Sequence, residues 1–387
     1  MLVEIDPIDF PSWLAAQDIY PKFYWKCRKT GIETAALGAY KEFFEIPRHL
    51  EEKVYGAVSF PSQNTSPLWN DFPTPYFFLP QIEIIQSPLK TRLKVRGSSP
   101  VFNTPKTTIL DLPSLELHED FPSFKNWEES VFEVLKAIER KELEKLVLAR
   151  MSSFKTENPP FSWLKKILDS SINSTVFAFQ MNSSSLFLGA SPEMLYQRQG
   201  RHIQTEAIAG TRKKGSSYFE DQQIGNELQN SIKDQKEIDC VKSFLKDSLS
   251  SICEKTSYEP IDSLIETSQL QHLYNRLDGL LRPEIDDFTI LSLVHPTPAV
   301  GGLPKKVGIE KIHALESFDR GLYAGALGWI SPSESSFAVT IRSALCKSGY
   351  LHAFAGTGIV TGSDPQKEWN ELEDKISHWK TLCPIHH

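Results

Sequence analysis

The chain has 387 residues, with 42 Lys plus Arg against 49 Asp plus Glu and a net charge of −7. At 40% hydrophobic and 24% charged residues it has the composition of a folded globular protein, which excludes wholesale disorder. An acidic chain without a basic block lacks the electrostatic footprint for nucleic acid or an anionic membrane, so neither partner is expected.

In chain order, the opening MLVEIDPIDFPSWLAAQ lacks the basic and apolar regions of a signal peptide, and no apolar run reaches the ~18 residues of a membrane span. Five scattered cysteines, Cys27, Cys240, Cys253, Cys346 and Cys383, form no CxxC and read as free thiols in a reducing compartment. A cytoplasmic location is expected. Residues 1–120 are rich in Pro and aromatics, as in FPSQNTSPLW and DFPTPYFFLP, and short strands are predicted at Thr91–Val95 and Thr107–Leu112. No catalytic spacing occurs there, and the segment reads as a scaffold half of the same domain.

Residues 121–387 read differently. Val131, Val134, Leu135 and Ile138 recur at helical spacing within 126–141. Leu146–Ala149 reads as a buried strand entered through Lys145. FAFQMNSSSLFLGAS and MLYQRQGRHIQTEAIAG read as hairpins with Asn-Ser and Gln-Gly turns, and 219–251 as one long helical pattern. Ile290–Gly302 reads as a proline-bounded loop. LYAGALGWI, FAVTIRSAL and YLHAFAGTGIV read as strands, with Arg342 in mid-strand, and a last helix starts at Pro365. Strands arriving in hairpins predict an α+β fold: a single large domain with two large antiparallel sheets packed together and flanked by helices.

Several familiar motifs fail. Gly356, Gly358 and Gly362 miss the GxGxxG spacing, and the chain has no Walker A, GxSxG or HExxH. Two helices instead carry acids three residues apart. KDQKE places Asp234 and Glu237 on one face, and SDPQKEWNELEDK caps at Asp364 and then presents Glu368, Glu371 and Lys375. Hard oxygen ligands on two helices suit Mg2+, although any one of these acids taken singly reads more plainly as a solvated face residue. Ala209-Gly210-Thr211 and Gly356-Thr357-Gly358 offer backbone N–H groups to a carboxylate or, more plainly, form tight turns.

The ordered runs EKLVLAR, LGASPEML, TEAIAGT, KDQKE, LQHL, HPTPAVGG, DRGLYAGALG, FAVTIRSAL, AGTGIV and SDPQKEWNELEDK resemble the chorismate-utilising enzymes across roughly residues 126–380. That family includes isochorismate, anthranilate, aminodeoxychorismate and salicylate synthases. The resemblance implies that Glu237 and Glu371 bind Mg2+, with Asp234 and Glu368 nearby or acting through water. It implies that Gly210 and Thr211 assist the ring carboxylate of chorismate and that His272 lines the ring pocket. Tyr323, Arg342, Gly356 and Gly358 correspond to the enolpyruvyl carboxylate site, and Lys375 lies near the metal. Lys145 corresponds to a base acting on water and Glu193 to the acid protonating the departing hydroxyl.

Lys145, Ala209 and Ala299 point within the family to an isochorismate synthase, a hydroxymutase that adds water at C2 and loses the C4 hydroxyl. A salicylate synthase, which also expels pyruvate, and a non-catalytic chorismate-binding protein are the alternatives. No glutaminase subunit is implied and a monomer is expected. Isochorismate would feed menaquinone synthesis, siderophore synthesis or another route.

Overall fold

Twenty strands and eight helices make up the described part of the chain, and every recorded strand pairing is antiparallel. The structure is a computed structural model that describes residues 2–62, 66–97, 115–157, 159–268 and 270–382. The predicted strand Thr107–Leu112 and Cys383 lie outside the described residues. Cys27, Cys240, Cys253 and Cys346 are free thiols. No described helix is long and apolar enough to cross a membrane.

The sheet has two arms that meet at the long strand Tyr76–Gln86. One arm passes through Glu33–Phe43, Lys22–Lys26, Thr175–Asn182, Ser185–Ser191, Ser343–Lys347 and Tyr350–Ile359 to Lys145–Lys155. The other passes through Val54–Val58, Ala326–Ile330, Glu334–Val339, Met194–Gln199 and His202–Lys213 to Leu270–Leu281. The two layers expected from sequence are therefore continuous through one strand. Side chains of the two arms pack on each other; the Phe23 and Tyr55 rings, for instance, lie 5.0 Å apart. Strands from the Pro- and aromatic-rich first third take part in both arms, because Lys22–Lys26 pairs with Thr175–Asn182 and Val54–Val58 with Ala326–Ile330.

Two short segments carry the chain from one arm to the other. Pro192-Glu193 links Ser185–Ser191 to Met194–Gln199, and Thr340-Ile341-Arg342 links Glu334–Val339 to Ser343–Lys347. They lie side by side, with Val339 N donating to Glu193 O at 3.1 Å and Ala190 N donating to Arg342 O at 3.1 Å. Helix Ile232–Ile252 packs on strand His202–Lys213 of one arm, and helix Pro365–Thr381 on strand Tyr350–Ile359 of the other.

Three local expectations need correction. The pattern over 219–251 is two helices, Tyr218–Asn230 and Ile232–Ile252, because Ser231 is extended (φ −73°, ψ 114°) and caps both. Its N–H donates to Leu228 O, and its side chain accepts from Asp234 N, so one residue satisfies orphan groups on two helices. The segment read as the loop Ile290–Gly302 begins inside helix Asp287–Val294, capped by Asp286 at Thr289 N (2.8 Å) and ended just before Pro296. Arg342 is not in mid-strand: it occupies the second crossover with φ +52°, a left-handed backbone that is costly for a residue with a Cβ. A Cβ on Gly189 would lie 2.7 Å from Arg342 O, so that glycine makes room for the turn.

Candidate active site

The site forms where the two crossovers meet the two acid-bearing helices. On helix Pro365–Thr381, Asp364 accepts from Lys367 N at 2.9 Å and Pro365 needs no N–H partner at the first turn. Leu372, Ile376 and Trp379 bury one face, which turns Glu371 and Lys375, one turn apart, toward a pocket. Lys375 Nζ donates to Glu371 Oε1 at 2.5 Å and to Gly356 O at 2.7 Å. On helix Ile232–Ile252, Ile238, Val241, Leu245 and Leu249 are buried, and Glu237 faces the same pocket.

Twelve of the fifteen residues singled out from sequence line that one pocket: Glu193, Gly210, Thr211, Glu237, His272, Ala299, Tyr323, Arg342, Gly356, Gly358, Glu371 and Lys375. Lys145, fully buried at the start of its strand, lies beside it with Nζ 3.0 Å from Glu237 Oε1. That contact has ion-pair distance without hydrogen-bond alignment. Asp234 and Glu368 are not in the pocket wall. Asp234 accepts from Arg212 Nη2 at 2.7 Å, and Glu368 is held by Lys233 and by Thr357 Oγ1 at 2.7 Å. Burial raises the pKa of Glu368 against the pull of Lys233.

Glycines set how closely these groups approach. Gly356 and Gly358 are not turns; they lie within strand Tyr350–Ile359, opposite Ala149 and Val147. A Cβ at Gly358 would lie 2.1 Å from Glu237 Oε1 and 2.8 Å from Lys145 Cε, and one at Gly356 would lie 2.7 Å from the Tyr323 hydroxyl. Gly210 has φ +64° at the bulge in strand His202–Lys213, and its carbonyl lies 3.1 Å from His272 Nδ1.

The electrostatics separate the two carboxyls that a reaction would use differently. Burial pushes the Glu193 carboxyl up to about 8, with Lys145 opposing the shift and Glu206 adding to it, so Glu193 carries a proton at neutral pH. Glu371 also resists ionisation through burial, but Lys375, Lys233 and Arg342 hold its pKa below the ordinary value. His272 is pushed down to about 3, first by burial and then by Arg342, and is neutral. A carbonyl can only accept, so Nδ1 carries the His272 proton toward Gly210 O and Nε2 presents a lone pair. Arg342 is lowered to about 10 by burial, with Glu371 supporting its charge, and stays cationic. Among the described residues Lys145 Nζ, Glu193 Oε1 and His272 Nε2 are buried without a hydrogen-bond partner in the protein. Three polar atoms of different chemistry gathered in this way suit a polar small molecule.

The residues fit a hard divalent cation of the Mg2+ type. Among the described residues no three His, Cys, Asp or Glu side chains form a metal cage. Glu237 and Glu371, however, reach one pocket from two helices, and one or two carboxylates plus waters and substrate oxygens are the usual Mg2+ set.

Sequence reasoning passed over several supporting groups. Thr297 accepts from Ala299 N at 3.2 Å and hydrogen-bonds the Glu193 carboxyl, coupling the HPTPAVGG loop to the acid. Arg320, fully buried, donates to Val300 O at 2.7 Å, to Val147 O at 2.8 Å and to Glu316, while Glu316 accepts from Ala149 N at 2.8 Å. This pair fixes the same loop to the strand that begins at Lys145. Arg320 and Lys233 sit inside the runs DRGLYAGALG and KDQKE, so the signal was present, but nothing local marks them as buried ion-pair partners.

Comparison with known proteins agrees with this geometry. A family profile described as chorismate binding enzyme matches residues 102–382. Isochorismate synthase 2, chloroplastic, from Arabidopsis thaliana is 40% identical over 253 residues, which cover 63% of this chain and 45% of the plant protein. Isochorismate synthase MenF from Escherichia coli (strain K12) is 30% identical over 408 aligned residues, covering 98% of this chain and 92% of that one. The solved structure of the menaquinone-specific isochorismate synthase MenF from Escherichia coli matches with a TM-score of 0.85 at 28% identity, covering 99% of this chain and 94% of the other. The chain thus spans about half the length of the plant relative and nearly all of the bacterial one. With the profile covering most of the chain and the site residues gathered at one pocket, the chain belongs to the chorismate binding enzyme family.

Proposed function

We propose that the chain is a magnesium-dependent isochorismate synthase, converting chorismate to isochorismate. The observation that carries this reading is the pairing, at one pocket, of a buried carboxyl that keeps its proton at neutral pH, Glu193, with a buried amine, Lys145. The resemblance to MenF of Escherichia coli over nearly the whole chain supports the same assignment.

Chorismate carries two carboxylates, and the pocket offers cations for them. Arg342, turned inward by its left-handed backbone, and Tyr323 hold the enolpyruvyl carboxylate beside the Gly356–Gly358 strand. Gly210, Thr211 and Lys375, which line the pocket, hold the ring carboxylate in this reading, and the unpartnered His272 Nε2 accepts from a ring hydroxyl. Glu237 and Glu371 would hold Mg2+; when bound, the ion supplies positive charge for the ring carboxylate. Asp234, bonded to Arg212, and Glu368, held by Lys233 and Thr357, would stand behind that set.

In the reaction Lys145 takes a proton from the attacking water. Oxygen bonds to ring C2, the ring double bonds C1=C2 and C5=C6 become C1=C6 and C4=C5, and the C4–O bond breaks. Glu193 gives its proton to the leaving oxygen, which departs as water. Ala299 offers a methyl and no donor to the enolpyruvyl side chain, so the ether stays intact.

Chromatography of products after incubation with chorismate and Mg2+ tests the reading. Isochorismate is expected, with activity lost on chelation and restored by added Mg2+. Salicylate with stoichiometric pyruvate would make the protein a salicylate synthase, and binding without turnover would refute the enzymatic reading.

A further inference from the structure

The acid Glu193 sits on a crossover between arms, a two-residue link with no helix or strand hydrogen bonds of its own, and such a link needs other restraints. Some are local. Ser191 Oγ accepts from Glu193 N at 3.1 Å, and Val339 N donates to Glu193 O at 3.1 Å. Two more come from far away in sequence. One guanidinium nitrogen of Arg28 donates to Pro192 O, the carbonyl just before the acid, and the other donates to Glu206. Glu206 in turn accepts from Met194 N, the amide just after the acid, at 3.4 Å, and from the Tyr274 hydroxyl at 3.2 Å. The Glu206 side chain is wholly buried and that of Arg28 is 9% exposed.

We propose that Arg28 and Glu206 are positioning residues for Glu193: a buried ion pair that grips the peptide on both sides of the acid and aims its carboxyl into the pocket. This gives the Pro- and aromatic-rich first third of the chain a part in the chemistry, since Arg28 follows its strand Lys22–Lys26. Removing Glu206 takes the carboxylate away from the buried Arg28, and removing Arg28 leaves Glu206 only the more distant and more exposed Lys29, at 3.7 Å, so the grip needs both members of the pair. The inference rests on Glu193 being the acid.

The charges act on the same group. The groups facing the Glu193 carboxyl are Lys145 and Arg28, which lower its pKa, Glu206, which raises it, and the Thr297 side chain, which lowers it by hydrogen bonding. The acid works when protonated, so its pKa sets the alkaline limb of kcat/KM. Glu206→Gln keeps the size and an acceptor for Met194 N but removes a like charge. The alkaline limb is expected to move to lower pH by roughly 0.5–1 unit. Arg28→Lys keeps the charge but loses the fork that spans Pro192 O and Glu206. Its kcat is expected to fall on the order of tenfold with KM changed by less than about twofold, as for a displaced catalytic group.

The experiment measures kcat, KM and the pH profile with chorismate for both variants and for Glu193→Gln, with circular dichroism to establish folding. A purely structural role would lower the melting temperature without moving the limb or splitting kcat from KM. If Glu206→Gln does not fold, Arg28→Lys decides alone. Parental kcat and a parental alkaline limb in the folded variants, with Glu193→Gln inactive, would overturn the positioning role and leave the acid assignment standing. An active Glu193→Gln would overturn both.

Discussion

Gly358→Ala isolates one contact of the site. The backbone at 358 lies within a strand and outside the left-handed region, so alanine is conformationally allowed. The added Cβ would lie 2.1 Å from Glu237 Oε1 and 2.8 Å from Lys145 Cε. Ordinary contact between such atoms begins at about 3.3 Å, so the Glu237 carboxylate must withdraw by more than ~1 Å and the lysine by about half as much. Both are ends of flexible side chains, so the fold absorbs the change and the melting temperature should move by only a few degrees. Function should not absorb it. A displacement of ~1 Å at a catalytic constellation costs on the order of 10²-fold, so kcat/KM should fall about a hundredfold. With Glu237 displaced, half-saturation by Mg2+ should shift to higher concentration. Isochorismate formation followed by chromatography across a Mg2+ titration, beside a thermal melt, measures all three. A folded Gly358→Ala enzyme with parental turnover and parental Mg2+ dependence would refute the placement of Glu237 and Lys145 at the reacting centre.

Other consequences follow from the same geometry. Lys145→Ala and Glu193→Gln should each lower kcat by ~10²–10⁴ with smaller changes in KM, measured by initial rates at saturating Mg2+. In the unmodified enzyme kcat/KM should fall as pH rises through about 8, because Glu193 loses the proton it must donate; a profile level to pH 10 would exclude that role. Arg342→Ala should raise KM by about 10- to 150-fold, the equivalent of the 1.5–3 kcal/mol of a charge-assisted hydrogen bond, and an unchanged KM would remove the clamp. Ala299→Thr should raise the pyruvate yield in a lactate dehydrogenase-coupled assay, since it places a hydroxyl near Thr297 in the pocket-lining loop.

Short-range signals in the sequence determined the elements that depend on them. The capped last helix, the two hairpins and the helix over 126–141, observed at Phe124–Glu139, all follow from patterns within a few residues. So did the pairing of Asp234 with Glu237 and of Glu368 with Glu371 on one helix face, because a three-residue spacing sets that, whereas the packing of each helix decided that Glu237 and Glu371 line the pocket. The ordered motifs carried the rest of the residue list through resemblance alone. Tertiary structure decided what local propensity could not. Ser231 divides one long pattern because it can cap two helices at once, and Arg342 takes a left-handed backbone because a crossover between arms must turn there. The proton on Glu193 is a tertiary property as well: it comes from burial by neighbours distant in the chain, as does the grip of Arg28 and Glu206, which lie 178 residues apart. Such groups meet only through strand register and the joining of the two arms, and neither leaves a trace within the few residues over which sequence patterns act.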